Sequence, residues 1–242
     1  MANCLIICEG VTDRTLIGEY LKGISGWVYT TIGNNLFNDY DINWFKRGEE
    51  KLGIGIVNGD DFLPFAGDFA FRHRNSPQDI ERLIIVTDND DEEEVNDRFI
   101  NILKAMDEKL GHIHNFNPRE SMNRWLSVDY IDEFSQDACF QYCFLTVPIE
   151  EQGSLETYML KALANNQEEG VIVVGRASEF VEELATSKYL KRRRDKTKAK
   201  LGVAMSVFSP NRSVDSMLEI ISVVDWKNFK ETHRQFEILE QL

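Results

Sequence analysis

The apolar residues of this chain fall in short unbroken runs that stop abruptly at polar or acidic turns. Residues 4–8, Cys-Leu-Ile-Ile-Cys, end at Glu9-Gly10. Residues 52–57, Leu-Gly-Ile-Gly-Ile-Val, end at Asn58-Gly59-Asp60-Asp61. Leu83–Val86 runs straight into Thr87-Asp88-Asn89-Asp90-Asp91, and Phe140–Val147, a further strand interrupted by Gln141 and Thr146, stops at Pro148. A run that is apolar at every position suits a strand buried on both faces, as in a parallel sheet. Helical patterns stand between most of these runs. The spacing predicts helices from about 13 to 22, up to about Leu110 with Val95, Phe99, Ile102, Leu103 and Met106 on one face, and over Leu155–Asn165. Strands alternating with helices predict an α/β fold with a mainly parallel sheet.

Other stretches read less cleanly. Residues 26–50 alternate aromatics with Asn and Asp and suit an irregular excursion or a hairpin. Residues 72–79 read as a polar loop. Val171–Val174 fits a short strand or a buried helix start, and periodicity does not decide between them. From Ser178 onward the pattern is helical, broken near Ser209-Pro210 and Val224-Asp225. The expected organisation is an α/β domain over residues 1–175, with an insertion around 26–80, and a helical extension over 176–242 packed on the same domain.

The 242 residues suffice to bury a core without covalent staples. No run of about 18 apolar residues is present, so no membrane span is expected. The opening MANCLIICEG lacks the basic segment of a secretory signal, and a cytoplasmic location is expected. A net charge of -14 excludes a protein that coats nucleic acid by bulk attraction. The charge is uneven, however. Residues 188–200 hold eight Lys/Arg and one Asp, a local +7 that leaves -21 for the rest. Cys4/Cys8 and Cys139/Cys143 would form a structural zinc site only if the two pairs met; otherwise they are four reduced, buried thiols in adjacent strands.

In parallel sheets, sites form beyond the carboxyl ends of the strands, where the acidic turns lie. Asp88 and Asp90, two apart at a strand end, point the same way and suit Mg²⁺ or Mn²⁺. Glu9 ends another strand and would face them. Asp13, one helical turn on, supplies a further oxygen, and Glu156 at a helix start could hold a second ion. The ordinary explanation of seven carboxylates over Asp88–Asp97 is a solvated helix N-terminus. It is preferred for Asp91, Glu92, Glu93, Glu94 and Asp97. For Asp88 and Asp90 the strand-end position weighs against it. The four histidines are scattered, with His112 and His114 expected at the surface. The absence of G-x-S-x-G, P-loop and G-x-G-x-x-G patterns leaves serine hydrolase, ATPase and dinucleotide readings without support.

These residues resemble a family. Ile6-Ile7-Cys8-Glu9-Gly10-Val11-Thr12-Asp13 is similar to the first motif of Toprim domains, and Ile84–Asp90 to the second, an Asp-x-Asp strand end. Pro148 followed by Gly153-Ser154-Leu155-Glu156 resembles an element of small stand-alone Toprim proteins related to the OLD (overcoming lysogenization defect) nucleases. The resemblance implies a Rossmann-like Toprim sheet flanked by helices, with a C-terminal helical segment. It implies Glu9 as general base or metal ligand, and Asp88 and Asp90 as Mg²⁺ ligands. Asp13 and Glu156 would complete a two-metal site. The catalytic lysine falls among Lys196, Lys198 and Lys200, with Lys198 favoured. Lys191, Arg192, Arg193, Arg194, Lys196 and Lys200 would bind nucleic acid, DNA or RNA, although an exposed amphipathic helix reads the same way. The implied activity is two-metal phosphodiester hydrolysis. A protein partner such as an ATPase is implied because no ATPase domain is present here. Two competing expectations stand beside it. One is a non-catalytic partner or regulator in a phage-defence or plasmid system. The other is a phosphotransfer domain using Asp88 as phosphoryl acceptor.

Overall fold

The computed structural model describes residues 3–33, 35–58, 61–77, 79–89, 92–110, 122–166, 168–184, 188–212 and 217–242. Among them a seven-stranded mixed sheet forms the middle layer. Its strands are β1 (Asn3–Cys8), β2 (Val28–Thr30), β3 (Ile42–Arg47), β4 (Glu50–Ile56), β5 (Arg82–Asp88), β6 (Leu126–Ile131) and β7 (Asp137–Val147), in the order β2-β3-β4-β1-β5-β7-β6. The four central strands, β4-β1-β5-β7, are parallel. The edges are antiparallel: β2 and β3 on one side, β6 on the other. The chain is therefore α/β, as the unbroken apolar runs predict.

Both sheet faces are covered, which is why the middle of each central strand is largely apolar. Cys4, Ile6 and Cys8 of β1 face one core with Ile84, Val86, Cys143 and Leu145. Leu5 and Ile7 face the other with Leu83, Ile85, Phe140 and Phe144. This is the period-2 alternation of a strand wrapped on two sides. The second core is closed by α2 (Phe62–Asn75) and α3 (Glu92–Leu110). The first is closed by α1 (Val11–Ser25), α4 (Leu155–Asn166), α5 (Glu168–Glu183), α6 (Arg193–Phe208), α7 (Met217–Val223) and α8 (Lys230–Phe236).

The C-terminal helices share the sheet's core. Gln235 of α8 donates its amide to the Thr146 carbonyl at 3.0 Å and accepts from the Ile149 amide at 3.1 Å, tying α8 to the end of β7. Tyr158 of α4 donates to Thr232 at 2.6 Å.

Several local expectations are corrected. Of the two expectations for residues 26–50 it is the hairpin that forms: β2 pairs antiparallel with β3, which pairs antiparallel with β4 from Glu50 onward. Helix α2 runs to Asn75 and takes up the start of the stretch expected as a loop. Its last turn buries His73, whose Nδ1 lies 2.6 Å from the Tyr130 hydroxyl and Nε2 2.5 Å from the Ile80 carbonyl. Val171–Val174 is helical, and Val171 and Ile172 are exposed. Cys139 is exposed, while Cys4, Cys8 and Cys143 are buried and free. Strand β5 lies between β1 and β7, so the two cysteine pairs do not meet. Among the described residues, no helix is long and apolar enough to cross a membrane. His112 and His114 lie outside the described residues.

Two glycines of α5 give opposite expectations. A Cβ on Gly170 would sit 2.3 Å from the Leu163 carbonyl oxygen and 3.0 Å from that of Ala164, both backbone atoms of α4. At exposed Gly175 a Cβ meets nothing within 4 Å. Gly170→Ala is therefore expected to cost about 1–3 kcal/mol through overpacking. Gly175→Ala is expected to stabilise by about 0.5–1 kcal/mol, the ordinary helical benefit of removing a glycine. Urea titration of both variants checks this, and the same sign for both would contradict the α4–α5 contact.

His73 gives a pH prediction. The Ile80 carbonyl can only accept, so Nε2 carries the proton and Nδ1 accepts from Tyr130. Burial holds the imidazole below its usual value. The folded state thus binds fewer protons than the unfolded chain once pH falls below about 6.5. His73 leaves stability untouched above that pH and removes it as pH drops, by at most about 1.4 kcal/mol per unit. In denaturant titrations between pH 7.5 and 5, His73→Phe should flatten this acid slope relative to the parent; an unchanged slope would refute the assignment.

Candidate active site

Strands β1 and β5 are neighbours, yet the chain leaves them toward opposite faces: β1 leads to α1 over the first core and β5 to α3 over the second. Such a divergence opens a crevice at the carboxyl ends of the strands. Glu9, the first residue after β1, stands there beside Thr87 near the end of β5. The Thr87 hydroxyl donates to Glu9 Oε1. Arg98 of α3 donates from Nη1 to the same oxygen at 2.7 Å and also contacts Thr87 Oγ1. Glu9 is thus held by a hydroxyl and a guanidinium in a half-buried position.

Helix α1 begins at the N-cap Gly10, and Asp13 is its third residue. A carboxylate there reaches back to the N-cap backbone, as in half of a capping box, and Asp13 bonds the Gly10 backbone in this way. Burial, then the nearby Glu156 and Glu9 carboxylates, push Asp13 up to about 7, against the Gly10 hydrogen bond and Arg194. Glu156 and Glu9 are therefore each near enough to repel Asp13, and Arg194 near enough to ease that repulsion.

The third wall is the turn between β7 and α4. Asn89 clamps it: its backbone N–H donates to the Val147 carbonyl at 3.0 Å, and its carbonyl accepts from Gly153 at 2.7 Å. Its side-chain amide donates to the Pro148 and Glu151 carbonyls. The start of α4 is drawn onto the end of β5, where the Leu155 N–H donates to Asp88 Oδ1 at 3.2 Å. A first-turn N–H of a helix has no intrahelical partner, and a carboxylate is a favourable one. Glu156, 7% exposed, follows. Ser154 donates to its Oε2 at 2.7 Å, and Lys198 Nζ of α6 stands 3.6 Å from its Oε1.

The three candidate lysines separate cleanly. Lys196 and Lys200 are four apart on one face of α6, and both reach Glu182 of α5, at 3.5 and 2.7 Å. Lys198 lies on the other side of that helical turn and is directed at Glu156. Lys191, Arg192, Arg193 and Arg194 are exposed at the start of α6, with Arg193 donating to the Gln152 carbonyl at 3.3 Å. The crevice thus gathers Glu9, Asp13, Asp88, Glu156, Arg194 and Lys198; Lys196 and Lys200 turn away toward Glu182. Asp90 lies outside the described residues. Among the described residues, no three His, Cys, Asp or Glu side chains converge closely enough to enclose an ion as they stand.

Sequence reasoning missed Arg98 and Thr87. The signal for Arg98 is that it is the first basic residue after the seven carboxylates of Asp88–Asp97.

A family model described as "Protein of unknown function (DUF3226)" matches residues 3–237. This chain belongs to the DUF3226 family. Among solved structures, the crystal structure of hypothetical protein PH0156 from Pyrococcus horikoshii OT3 matches this DUF3226 chain over 100% of its length and 99% of that chain. The TM-score is 0.50 and the identity 12%, a likeness of fold alone. No curated protein matches the DUF3226 chain.

Proposed function

We propose that this DUF3226 chain is a divalent-cation-dependent phosphodiesterase acting on DNA or RNA, a Toprim-type nuclease related to the OLD family. The observation that carries the reading is the gathering of Glu9, Asp13 and Glu156 with Arg194 and Lys198 at the switch point of a parallel sheet. The donor chemistry fits Mg²⁺ or Mn²⁺, since every donor is a hard carboxylate oxygen. Burial chiefly pushes Asp13 up, and the added repulsion from Glu156 and Glu9 is negative charge a cation would relieve. Glu9, Asp13, Asp88 and Glu156 would hold the ions, with Asp90 as the expected further ligand. A bound ion would supply a water acidified toward neutral pH and a Lewis acid for the phosphate.

The chain's own groups do the rest. Glu9 accepts a proton from the attacking water. Lys198 turns its ammonium from Glu156 to the phosphate oxygens, where charge develops. Arg192, Arg193, Arg194 and Lys191 hold flanking phosphates. Lys196 and Lys200, tied to Glu182, add to the local field.

The test incubates pure protein with plasmid DNA, single-stranded DNA and structured RNA, with Mg²⁺, Mn²⁺ or chelator. Expected is cation-dependent cleavage by the parent chain, reduced at least about 100-fold in Glu9→Gln and in Asp88→Asn. Equal cleavage by parent and variants would assign the activity to a contaminant and end this reading. One observation favours the second reading, a non-catalytic partner: Val171, Ile172 and Phe180 stand exposed along α5. Cation binding with no cleavage of any substrate would move the weight to it.

A further inference from the structure

Arg98 stands where a ligand to Glu9 would stand. Its guanidinium, on α3, reaches across the crevice to the carboxylate at the end of β1, 89 residues away in sequence. The same nitrogen meets Thr87, whose hydroxyl donates to the same Glu9 oxygen. Both donors converge on Oε1, so that oxygen has no lone pair directed freely into the crevice. The contact is only partly shielded, with side-chain exposures of 29% for Arg98 and 17% for Glu9, so it can exchange without unfolding the core. The other carboxylates are similarly engaged: Asp88 by the Leu155 N–H, Glu156 by Ser154 and Lys198. Of these partners, Arg98 is the permanently charged, bond-making one on the carboxylate placed between the two strands.

We propose that Arg98 acts as a latch on Glu9. It holds Glu9 as counter-charge until a divalent cation takes that oxygen, and the freed guanidinium then faces the substrate phosphate. This rests on the cation-site reading above. It adds that the cation binds by exchange against an internal cation, so affinity is set below what the carboxylates alone would give. A guanidinium released beside the crevice is suited to bidentate contact with phosphate oxygens. Removing it should therefore move binding and turnover in opposite directions.

The experiment is calorimetric titration of Mn²⁺ into parent, Arg98→Gln, Arg98→Lys and Arg194→Gln, with circular dichroism to show each folded. Arg194→Gln removes the same unit charge from the same cluster without touching Glu9. The latch predicts Mn²⁺ binding about two- to fivefold tighter in Arg98→Gln, the value of one partly exposed ion pair. A clearly smaller gain is expected in Arg194→Gln. Arg98→Lys should fall between parent and Arg98→Gln, since its ammonium keeps the charge and loses the fork. Turnover of a cleaved substrate by Arg98→Gln should fall despite the tighter binding. Equal tightening in Arg98→Gln and Arg194→Gln would reduce the effect to net charge and overturn the latch. Unchanged or weaker binding in Arg98→Gln would overturn it while leaving the cation site intact. No Mn²⁺ binding by the parent or any variant would overturn both the latch and the cation-site reading.

Discussion

Replacing Lys198 with methionine is expected to lower phosphodiester hydrolysis by about 100- to 1000-fold, the loss typical when one preorganised charge donor is removed from a transition state. Lys196→Met and Lys200→Met are expected to fall less than tenfold. The difference follows from where each ammonium lies. Lys198 stands 3.6 Å from Glu156 in the crevice, whereas Lys196 and Lys200 share Glu182 on the outer side of α6. Stability should not separate the variants. Lys198 is about half exposed, and surface ion pairs contribute about 0–1 kcal/mol. The contrast therefore belongs to kcat, not to folding. Measured kcat and KM for the three variants, beside their thermal midpoints, decide it. A deficit in Lys196→Met equal to that in Lys198→Met would place the phosphate on the Glu182 side of the helix and redraw the site.

The sheet was legible in the sequence because its central strands are buried on both faces. Cys4–Cys8 and Leu83–Val86 carry no polar position that could be confused with a helix stripe, and Phe140–Val147 carries only Gln141 and Thr146. The acidic turns were legible for the same reason: Glu9 follows β1 and Asp88 closes β5, each where an apolar run ends. Three things were not. The β2–β3 edge reads as either irregular or a hairpin because Val28 and Tyr29 face solvent while Phe45 packs into the core, which leaves no clean run. Val171–Val174 reads as buried because apolar residues ordinarily are, yet helix α5 turns Val171 and Ile172 outward. The Arg98–Glu9 contact and the choice among three lysines depend on how α3 and α6 are set against the sheet. Neither appears in local spacing: a lysine at every second position of a helix points to a different side at each step, and only the packing of α5 and α4 decides which side meets Glu156.

Phe99→Ala is expected to be the costliest single truncation near the site, at about 3–5 kcal/mol. Phe99 is fully buried on α3, and its ring stacks on Phe144 of β7 with centroids 4.3 Å apart and planes 18° apart. Ile102, Met106 and Val95 of the same helix are buried beside it, so little can collapse into the space left. Phe99→Leu, which keeps most of the volume, should cost about 1–1.5 kcal/mol. Phe71→Ala on α2, where the ring is 57% exposed, should change stability by less than about 0.5 kcal/mol. Guanidinium titrations would show the first as a lower midpoint at unchanged slope. The consequence reaches function because Arg98 precedes Phe99. The Phe99–Phe144 stack fixes the rotation of α3, and that rotation sets whether the guanidinium reaches Glu9. In Phe99→Leu, folded but repacked, Mn²⁺ affinity should move toward that of Arg98→Gln. A variant that lost stability with the parent's cation affinity would show that Arg98 finds Glu9 without help from the core beneath it.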